Sequence, residues 1–216
     1  MRAVNLRTEY LKNPLGIDIR KPRFFWNCED GVKQSAYQIY AVNDANSIVW
    51  DTGKVESDAI THIPYEGKEL RSREHVIWKV RLWDENGTEG LWSEEASFEM
   101  GFLQKEDWKA KWITGDYQPK KKERYPVDCF EKKFKLQVLK PEKIVKARAY
   151  ITACGVYEAR LNGERIGSYI LAPGITDYRK RIQYQVYDIR SLLKEEENIL
   201  TIQLADGWYR GCIGAW

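Results

Sequence analysis

The strongest constraint on the fold is a six-residue run in which apolar and charged side chains alternate just before an Asn-Gly pair. At this spacing Tyr157, Ala159 and Leu161 lie on one face of a strand, with charged residues between them. Asn162-Gly163 follows, and such a pair readily adopts the positive φ angles of a two-residue hairpin turn. The chain is therefore expected to reverse here in a half-buried antiparallel hairpin.

The rest of the C-terminal half also shows short strand patterns separated by turns. The return strand of the hairpin is predicted over residues 164–170, followed by a loop at 171–178. Further strands are predicted over residues 128–136, 148–154, 181–187 and 198–204. In the last of these, Leu200, Ile202 and Leu204 fall on one face, which indicates that this face is buried.

The N-terminal half contains about seven short strand patterns and shows no helical periodicity. They include an edge segment at 14–18 and strands predicted over residues 21–26, 34–42, 48–50, 75–83 and 96–100. The residues expected to face inward in the longest of them are Val76, Trp78, Val80 and Leu82. Regularly spaced short strands joined by turn residues are typical of a small β-sandwich. We therefore predict an all-β chain of two tandem β-sandwiches, over residues 1–101 and 102–216.

Composition and charge indicate which classes of binding partner the sequence does not favour. The chain has 35 basic and 32 acidic residues, for a formal net charge of +3, so neither nucleic acid nor an anionic membrane surface is favoured. The charged run at 120–124 is expected to be an exposed loop.

Aromatic residues suit β-sheet packing, and their flat rings also suit stacking on sugars. We expect most of them, including Trp50 and Trp92, to have packing roles.

Cysteine usage and the N-terminus bear on the cellular compartment. The widely separated cysteines are Cys28, Cys129, Cys154 and Cys212. With only two histidines in the chain, they form no metal-ligand pattern. The N-terminus lacks the apolar run of a signal peptide, and no apolar segment is long enough to span a membrane. We therefore expect free thiols in a cytoplasmic protein without a membrane partner.

Three runs in the C-terminal half carry a resemblance to a known family. They are Y-x-x-x-L-N-G-x-x-I-G at 157–167, L-A-P-G-x-T-D-Y-x-K-R-x-Q-Y-Q-x-Y-D at 171–188 and D-G-W-Y-R-G at 206–211. This series resembles the N-terminal β-sandwich domain of bacterial α-L-rhamnosidases, the inverting glycoside hydrolases of family 78. The N-terminal half, with W-x-V-x-x-x-D-x-x-G at 78–87 and then Trp92-Ser93, resembles the fibronectin type III-like module that leads the same enzymes.

The resemblance implies a fold for this chain and places the catalytic residues in another domain. It implies an immunoglobulin- or fibronectin III-like sandwich, then a jelly-roll-like sandwich of the carbohydrate-binding type. In the family the second sandwich continues for more strands, whereas this chain closes on the apolar string 211–216, so we expect a fragment of a longer protein. The two carboxylates of the family's reaction belong to a helical (α/α)6 barrel that these residues do not include. No catalytic residue is therefore expected in this chain.

Two loops that combine glycine, aromatic and charged residues, at 174–181 and 206–211, form the candidate carbohydrate-binding site. The candidate residues are Asp177, Tyr178, Arg179, Asp206, Trp208 and Arg210. Carboxylate and guanidinium groups can bind neighbouring hydroxyls while rings cover the apolar face of a sugar. The competing interpretation, which we favour, is that the loops brace the sandwich or pack on the missing barrel. A catalytic pair made of Asp177 and Asp206 is disfavoured, because exposed acidic residues are common.

Two classes of function follow from these observations. In the first, the chain is the non-catalytic N-terminal part of an enzyme that removes terminal α-L-rhamnosyl residues, and it works with the catalytic domain in cis as an accessory, substrate-recognition or scaffold region. In the second, it is a stand-alone carbohydrate-binding module for rhamnose-containing saccharides. The comparable sandwich in some rhamnosidases binds rhamnose with calcium, so calcium is implied by resemblance only. No cofactor and no metal-binding residue is assigned.

Overall fold

Short strands make up most of the regular structure in the residues that the computed structural model describes, which are 1–118, 125–137 and 143–211. They belong to two units, Met1–Ala110 and Lys111–Trp216. The α-helical part of the described residues is a single four-residue turn, α1 (Gly207–Arg210), which agrees with the predicted all-β class. The charged run at 120–124 and the C-terminal string from Cys212 onward lie outside the described residues.

Nine strands form the first unit. They are β1 (Arg2–Thr8), β2 (Leu15–Ile17), β3 (Arg23–Glu29), β4 (Ala36–Asn43), β5 (Ile48–Asp51), β6 (Val55–Glu56), β7 (Ile63–Pro64), β8 (His75–Trp83) and β9 (Ala96–Met100). One sheet has the order β1-β3-β7, and the other has the order β2-β9-β8-β4-β5 with β6 paired to β4. Among these pairs, β2 and β9 are parallel and the others are antiparallel.

An aromatic cluster fills the space between the two sheets. The Phe24 ring lies 4.6 Å from Trp78 in an edge-to-face arrangement and 5.3 Å from Trp50. The inward-facing residues predicted for β8 are buried, which confirms the alternation read from the sequence. Trp50 is also buried, and Trp92 packs half-buried beside Tyr40, so both have the packing roles expected of them.

The first strand, β1, has no counterpart among the sequence predictions. Its buried side chains are Ala3, Leu6 and Thr8, which do not follow a strict period of two. The pairing of β1 with β3 shifts register between Val4 and Arg7, a β-bulge that inserts an extra residue into the strand. Because the bulge interrupts the alternation, the apolar pattern does not identify this strand.

Six strands form the second unit within its described residues. They are β10 (Asp128–Phe134), β11 (Arg148–Ile151), β12 (Val156–Leu161), β13 (Glu164–Arg165), β14 (Gln185–Asp188) and β15 (Asn198–Ala205). One sheet has the order β10-β15-β12-β13, and the other pairs β11 with β14. The central strand β12 buries Tyr157, Ala159 and Leu161, as predicted. Asn162 and Gly163 have φ angles of 55° and 87°, which confirms the hairpin turn.

The return strand of this hairpin is shorter than predicted. It ends at Arg165, so the expectation of a strand over 164–170 is wrong beyond that point. Gly167 has a φ of 70°, and a Cβ at this position would lie 2.2 Å from the Tyr187 ring, so the chain turns here around a buried tyrosine. The strands predicted at 148–154 and 181–187 are likewise shorter, at Arg148–Ile151 and Gln185–Asp188.

A half-buried asparagine, Asn162, and a fully buried one, Asn198, join the hairpin to the turn before β15. The Asn162 amide donates to the Leu192 carbonyl at 2.7 Å and to Asn198 Oδ1 at 2.9 Å. Its own oxygen accepts the Ile199 N–H at 2.9 Å. Asn198 is fully buried and bonds both backbone groups of Lys194 through its side chain. Each side chain thus replaces backbone partners that the turns leave unsatisfied.

The described residues also show the state of the cysteines and whether a helix could span a membrane. Cys28, Cys129 and Cys154 are free thiols, as expected, whereas Cys212 lies outside the described ranges. Within those ranges, no helix combines the length and the apolar character needed to cross a membrane.

Replacing Asn198 with alanine should lower the free energy of unfolding of the second unit by about 2–3 kcal/mol. The change leaves the Asn162 amide and the Lys194 backbone without buried partners. Gln203→Ala, at an exposed position of the same strand, should change it by less than about 0.5 kcal/mol. Denaturant unfolding of both variants provides the measurement, and equal effects would show that the asparagine pair does not hold the turn.

Candidate functional site

The first candidate loop is fixed at its base by the central strand. The Tyr157 N–H donates to the Ala172 carbonyl at 2.8 Å, and the Gln185 amide donates to the Pro173 carbonyl at 3.1 Å. Ala172 and Pro173 are both buried. These hydrogen bonds therefore fix the position at which the loop leaves the sandwich.

A pair of buried tyrosines is connected to this loop through Gln185. The Tyr157 hydroxyl lies 2.8 Å from Gln185 Oε1 and 2.9 Å from the Tyr187 hydroxyl. Burial raises the pKa of Tyr157 well above its ordinary value, and it also raises the pKa of Tyr187. Both hydroxyls consequently keep their protons at neutral pH and serve as hydrogen-bonding groups.

Asp177 is committed to its own loop. Its carbonyl oxygen accepts the N–H groups of Lys180 and Arg181 at 2.8 and 2.9 Å. Its carboxylate accepts the Arg179 N–H at 3.2 Å and the Arg179 Nε–H at 3.1 Å. The Arg179 side chain is 90% exposed, so this ion pair is a surface contact that holds the turn and stabilises little else. Tyr178 is half-buried, and its hydroxyl donates to the Gly174 carbonyl at 3.3 Å.

Arg210 in the second loop contacts groups from distant parts of the chain. Its guanidinium lies 2.5 Å from the Asp206 carboxylate and 3.8 Å from that of Asp128 in β10. It also donates to the Tyr117 hydroxyl at 3.3 Å, and that hydroxyl donates to Asp128 at 3.0 Å. The hydrogen bond with Tyr117 raises the pKa of Arg210, and the charges of Asp206 and Asp128 add to the shift. Arg210 therefore connects α1, β10 and the segment around Tyr117.

The conformation of the second loop depends on Gly207. Its φ is 50°, and a Cβ there would lie 2.6 Å from a methyl group of Val156. The helical turn that carries Trp208, Tyr209 and Arg210 thus begins where the chain passes close to the central strand.

The structure brings the two candidate loops together through a pair of rings. Tyr178 of the first loop and Tyr209 of the second lie 5.3 Å apart, edge to face. Trp208, the ring expected to contribute to binding, is half-buried, whereas Tyr209 is exposed. Tyr209 was not among the sequence candidates, because the motif alone does not tell which of two adjacent rings on a helical turn points outward.

The charged candidate residues contact one another within each loop and do not form a metal site. Across the described ranges, no group of three or more His, Cys, Asp or Glu side chains lies close enough to hold an ion. We assign no calcium ligand among the described residues.

Two family models match the chain in sequence order. The Rha78A-like, N-terminal immunoglobulin domain matches residues 3–104, and the alpha-L-rhamnosidase N-terminal domain matches residues 142–215. Both candidate loops lie within the second match.

Individual relatives extend well beyond the region they share with this chain. An alpha-L-rhamnosidase of Alteromonas sp. (strain LOR) is 37% identical over an alignment of 212 positions, which covers 93% of this chain and 23% of the relative. The solved alpha-L-rhamnosidase of Dictyoglumus thermophilum is 38% identical, with a TM-score of 0.83 over 97% of this chain and 25% of its own. That of Aspergillus terreus is 30% identical, with a TM-score of 0.88 over 99% of this chain and 25% of its own. The chain thus spans about a quarter of the length of these proteins.

Replacing Arg210 with glutamine should destabilise the second unit by about 1–3 kcal/mol. The change leaves two partly buried carboxylates, Asp128 and Asp206, without their shared cation. Arg179→Gln removes an arginine of the other loop whose ion pair is exposed, so its effect should stay below about 0.5 kcal/mol. Thermal unfolding of the two variants makes the comparison, and a larger effect for Arg179 would contradict the bracing role.

Above pH 10 the second unit should lose stability as its buried tyrosines titrate. The unfolded chain releases tyrosine protons near pH 10, whereas folded Tyr157 and Tyr187 retain theirs because their pKa values are raised. The folded state then binds more protons, so the free energy of unfolding falls by about 1.4 kcal/mol per pH unit for each such group. Denaturant midpoints at pH 9, 10 and 11 should fall less steeply for Tyr157→Phe. The exposed control Tyr209→Phe should behave like the wild type, and equal slopes for all three would contradict the assignment.

Proposed function

Because this chain is homologous to the non-catalytic N-terminal part of alpha-L-rhamnosidases, with an immunoglobulin-like domain followed by the rhamnosidase N-terminal domain, we propose that it serves such an enzyme as a scaffold. The observation that carries the proposal is the alignment of nearly the whole chain with about a quarter of two solved alpha-L-rhamnosidases. The enzyme would remove terminal α-L-rhamnosyl groups from a rhamnoside, with its catalytic domain in the same polypeptide.

The hydrogen bonding of the two loops supports a bracing role over a binding role. Asp206 and Arg210 contact each other at 2.5 Å, and Arg210 also contacts Asp128 and Tyr117. Asp177 accepts hydrogen bonds from Arg179 in its own turn. A sugar hydroxyl would have to displace these partners, which costs free energy that a single sugar ring recovers only in part.

The same contacts argue against chemistry by Asp177 and Asp206. Inverting hydrolysis needs one carboxyl group to protonate the leaving oxygen and another to activate water on the opposite face of the sugar. Asp206 faces a guanidinium at 2.5 Å and Asp177 faces another at 3.1 Å, and these contacts hold both carboxylates within their own loops. We propose that the reacting carboxylates belong to the part of the enzyme outside this chain.

One observation favours carbohydrate binding as a second candidate function. Tyr209 exposes about half of its surface and stands edge to face with Tyr178, beside a loop that carries the exposed Arg179. A flat ring can cover the apolar face of a sugar, and an exposed guanidinium can donate hydrogen bonds to its hydroxyls. The affinity for a monosaccharide at such an open site would be about millimolar at best.

The 216-residue chain should release no aryl alcohol from an aryl α-L-rhamnoside, while the complete enzyme that contains it should do so. Hydrolysis by the purified chain that is abolished by Asp177→Asn or Asp206→Asn would overturn the scaffold proposal.

NMR titration of the chain with L-rhamnose tests the second candidate function, carbohydrate binding. Saturable shifts at Tyr178 and Tyr209 that disappear in Tyr209→Ala, but persist in the control Tyr40→Ala in the first unit, would establish binding and favour the carbohydrate-binding function.

A further inference from the structure

An exposed apolar surface begins just before the first candidate loop and extends into it. Tyr169, Ile170 and Leu171 are consecutive in sequence and are 63%, 78% and 55% exposed, and Ile175 is 52% exposed. We call these four residues the 169–175 patch. Single exposed apolar residues are ordinary, but three in succession on one loop are not, and exposed apolar groups of this kind mark interaction surfaces.

The 169–175 patch is exposed although its backbone is held firmly. The Arg165 guanidinium donates to the Tyr169 carbonyl at 2.8 Å, and the Tyr169 ring lies 6.1 Å from the Tyr187 ring. Two residues later, Ala172 is buried and hydrogen-bonds to the central strand. The loop therefore cannot turn its apolar side chains into the sandwich without breaking these contacts. The fold itself therefore exposes these side chains, and flexibility of the loop is not the reason.

Charge next to the patch indicates the chemistry of what covers it. The Arg179 and Lys180 side chains of the same loop are 90% and 83% exposed, and Asp177 is the acidic group that the two share. Arg181 is exposed as well. The loop from 169 to 181 thus presents an apolar part followed by a surplus of positive charge. A complementary surface is apolar at its centre and carries carboxylates at its rim.

We propose that the 169–175 patch is the surface on which a later domain of the same polypeptide docks, through an apolar patch bordered by carboxylates. The inference rests on the proposed function, because the relatives that share this region are about four times as long as this chain. A domain joined in cis is present at a high effective concentration, so a small apolar contact is enough to keep it docked. A free partner protein would need a larger interface than these four side chains provide.

The test compares the 216-residue chain with the natural gene product, whose mass is measured first. Amide exchange of residues 169–175 should be about tenfold slower in the longer polypeptide than in the chain alone. Ile170→Asp should lower the melting temperature of the longer polypeptide by about 3 °C or more and leave that of the short chain unchanged. Leu91→Asp, at an equally exposed apolar residue of the first unit, is the matched control and should change neither.

Each other outcome identifies a different error. A gene product of 25.4 kDa, the mass of this chain, overturns both the scaffold proposal and the docking surface. A longer, active rhamnosidase with unprotected residues 169–175 overturns the docking surface alone. Dimerisation of the short chain that Ile170→Asp abolishes assigns the patch to a second copy. Sedimentation of the short chain with vesicles of anionic phospholipid, lost in the same variant, assigns it to a membrane surface.

Discussion

The second unit depends on one partly buried polar contact, the hydrogen bond between the side chains of Asn162 and Asn198. Asn162 occupies the hairpin turn with a positive φ, and Asn198 begins the strand that lies beside the hairpin. Their amides bond to backbone groups at 192, 194 and 199 that the two turns would otherwise leave unsatisfied. A fully satisfied polar network of this kind fixes one arrangement, because any shift of register leaves a buried donor or acceptor without a partner. The network therefore sets the register of β15 against β12.

Everything that forms the candidate site follows from that register. With β15 fixed, its C-terminal end delivers Asp206 and the helical turn to the side of the sandwich where β10 supplies Asp128. The central strand also supplies Tyr157, whose hydroxyl and N–H group hold the base of the other loop. The two loops then meet through Tyr178 and Tyr209. The charged residues between them are occupied with holding this assembly, which is the physical basis for assigning them to bracing.

The two units differ in how well their described residues are buried. The first unit encloses a large aromatic core between its sheets, whereas the core of the second rests on fewer fully buried side chains, with Leu200, Ile202 and Leu204 only partly covered. Four of its exposed apolar residues lie in one loop, at 169–175. The docking of a later domain that we propose would cover part of this apolar surface.

The sequence by itself determined the features that depend on neighbours along the chain. Alternation identified β8, β12 and β15, and Asn162-Gly163 identified the hairpin, because strand facing and turn geometry are local properties. The motifs also indicated the family and the two loops. Only the tertiary structure decided what the loops do with their residues. Arg210 contacts Tyr117, which lies 93 positions earlier, and Tyr209 rather than Trp208 is the exposed ring of the turn that Gly207 begins. Such contacts join residues that are far apart in sequence, and no local pattern records them.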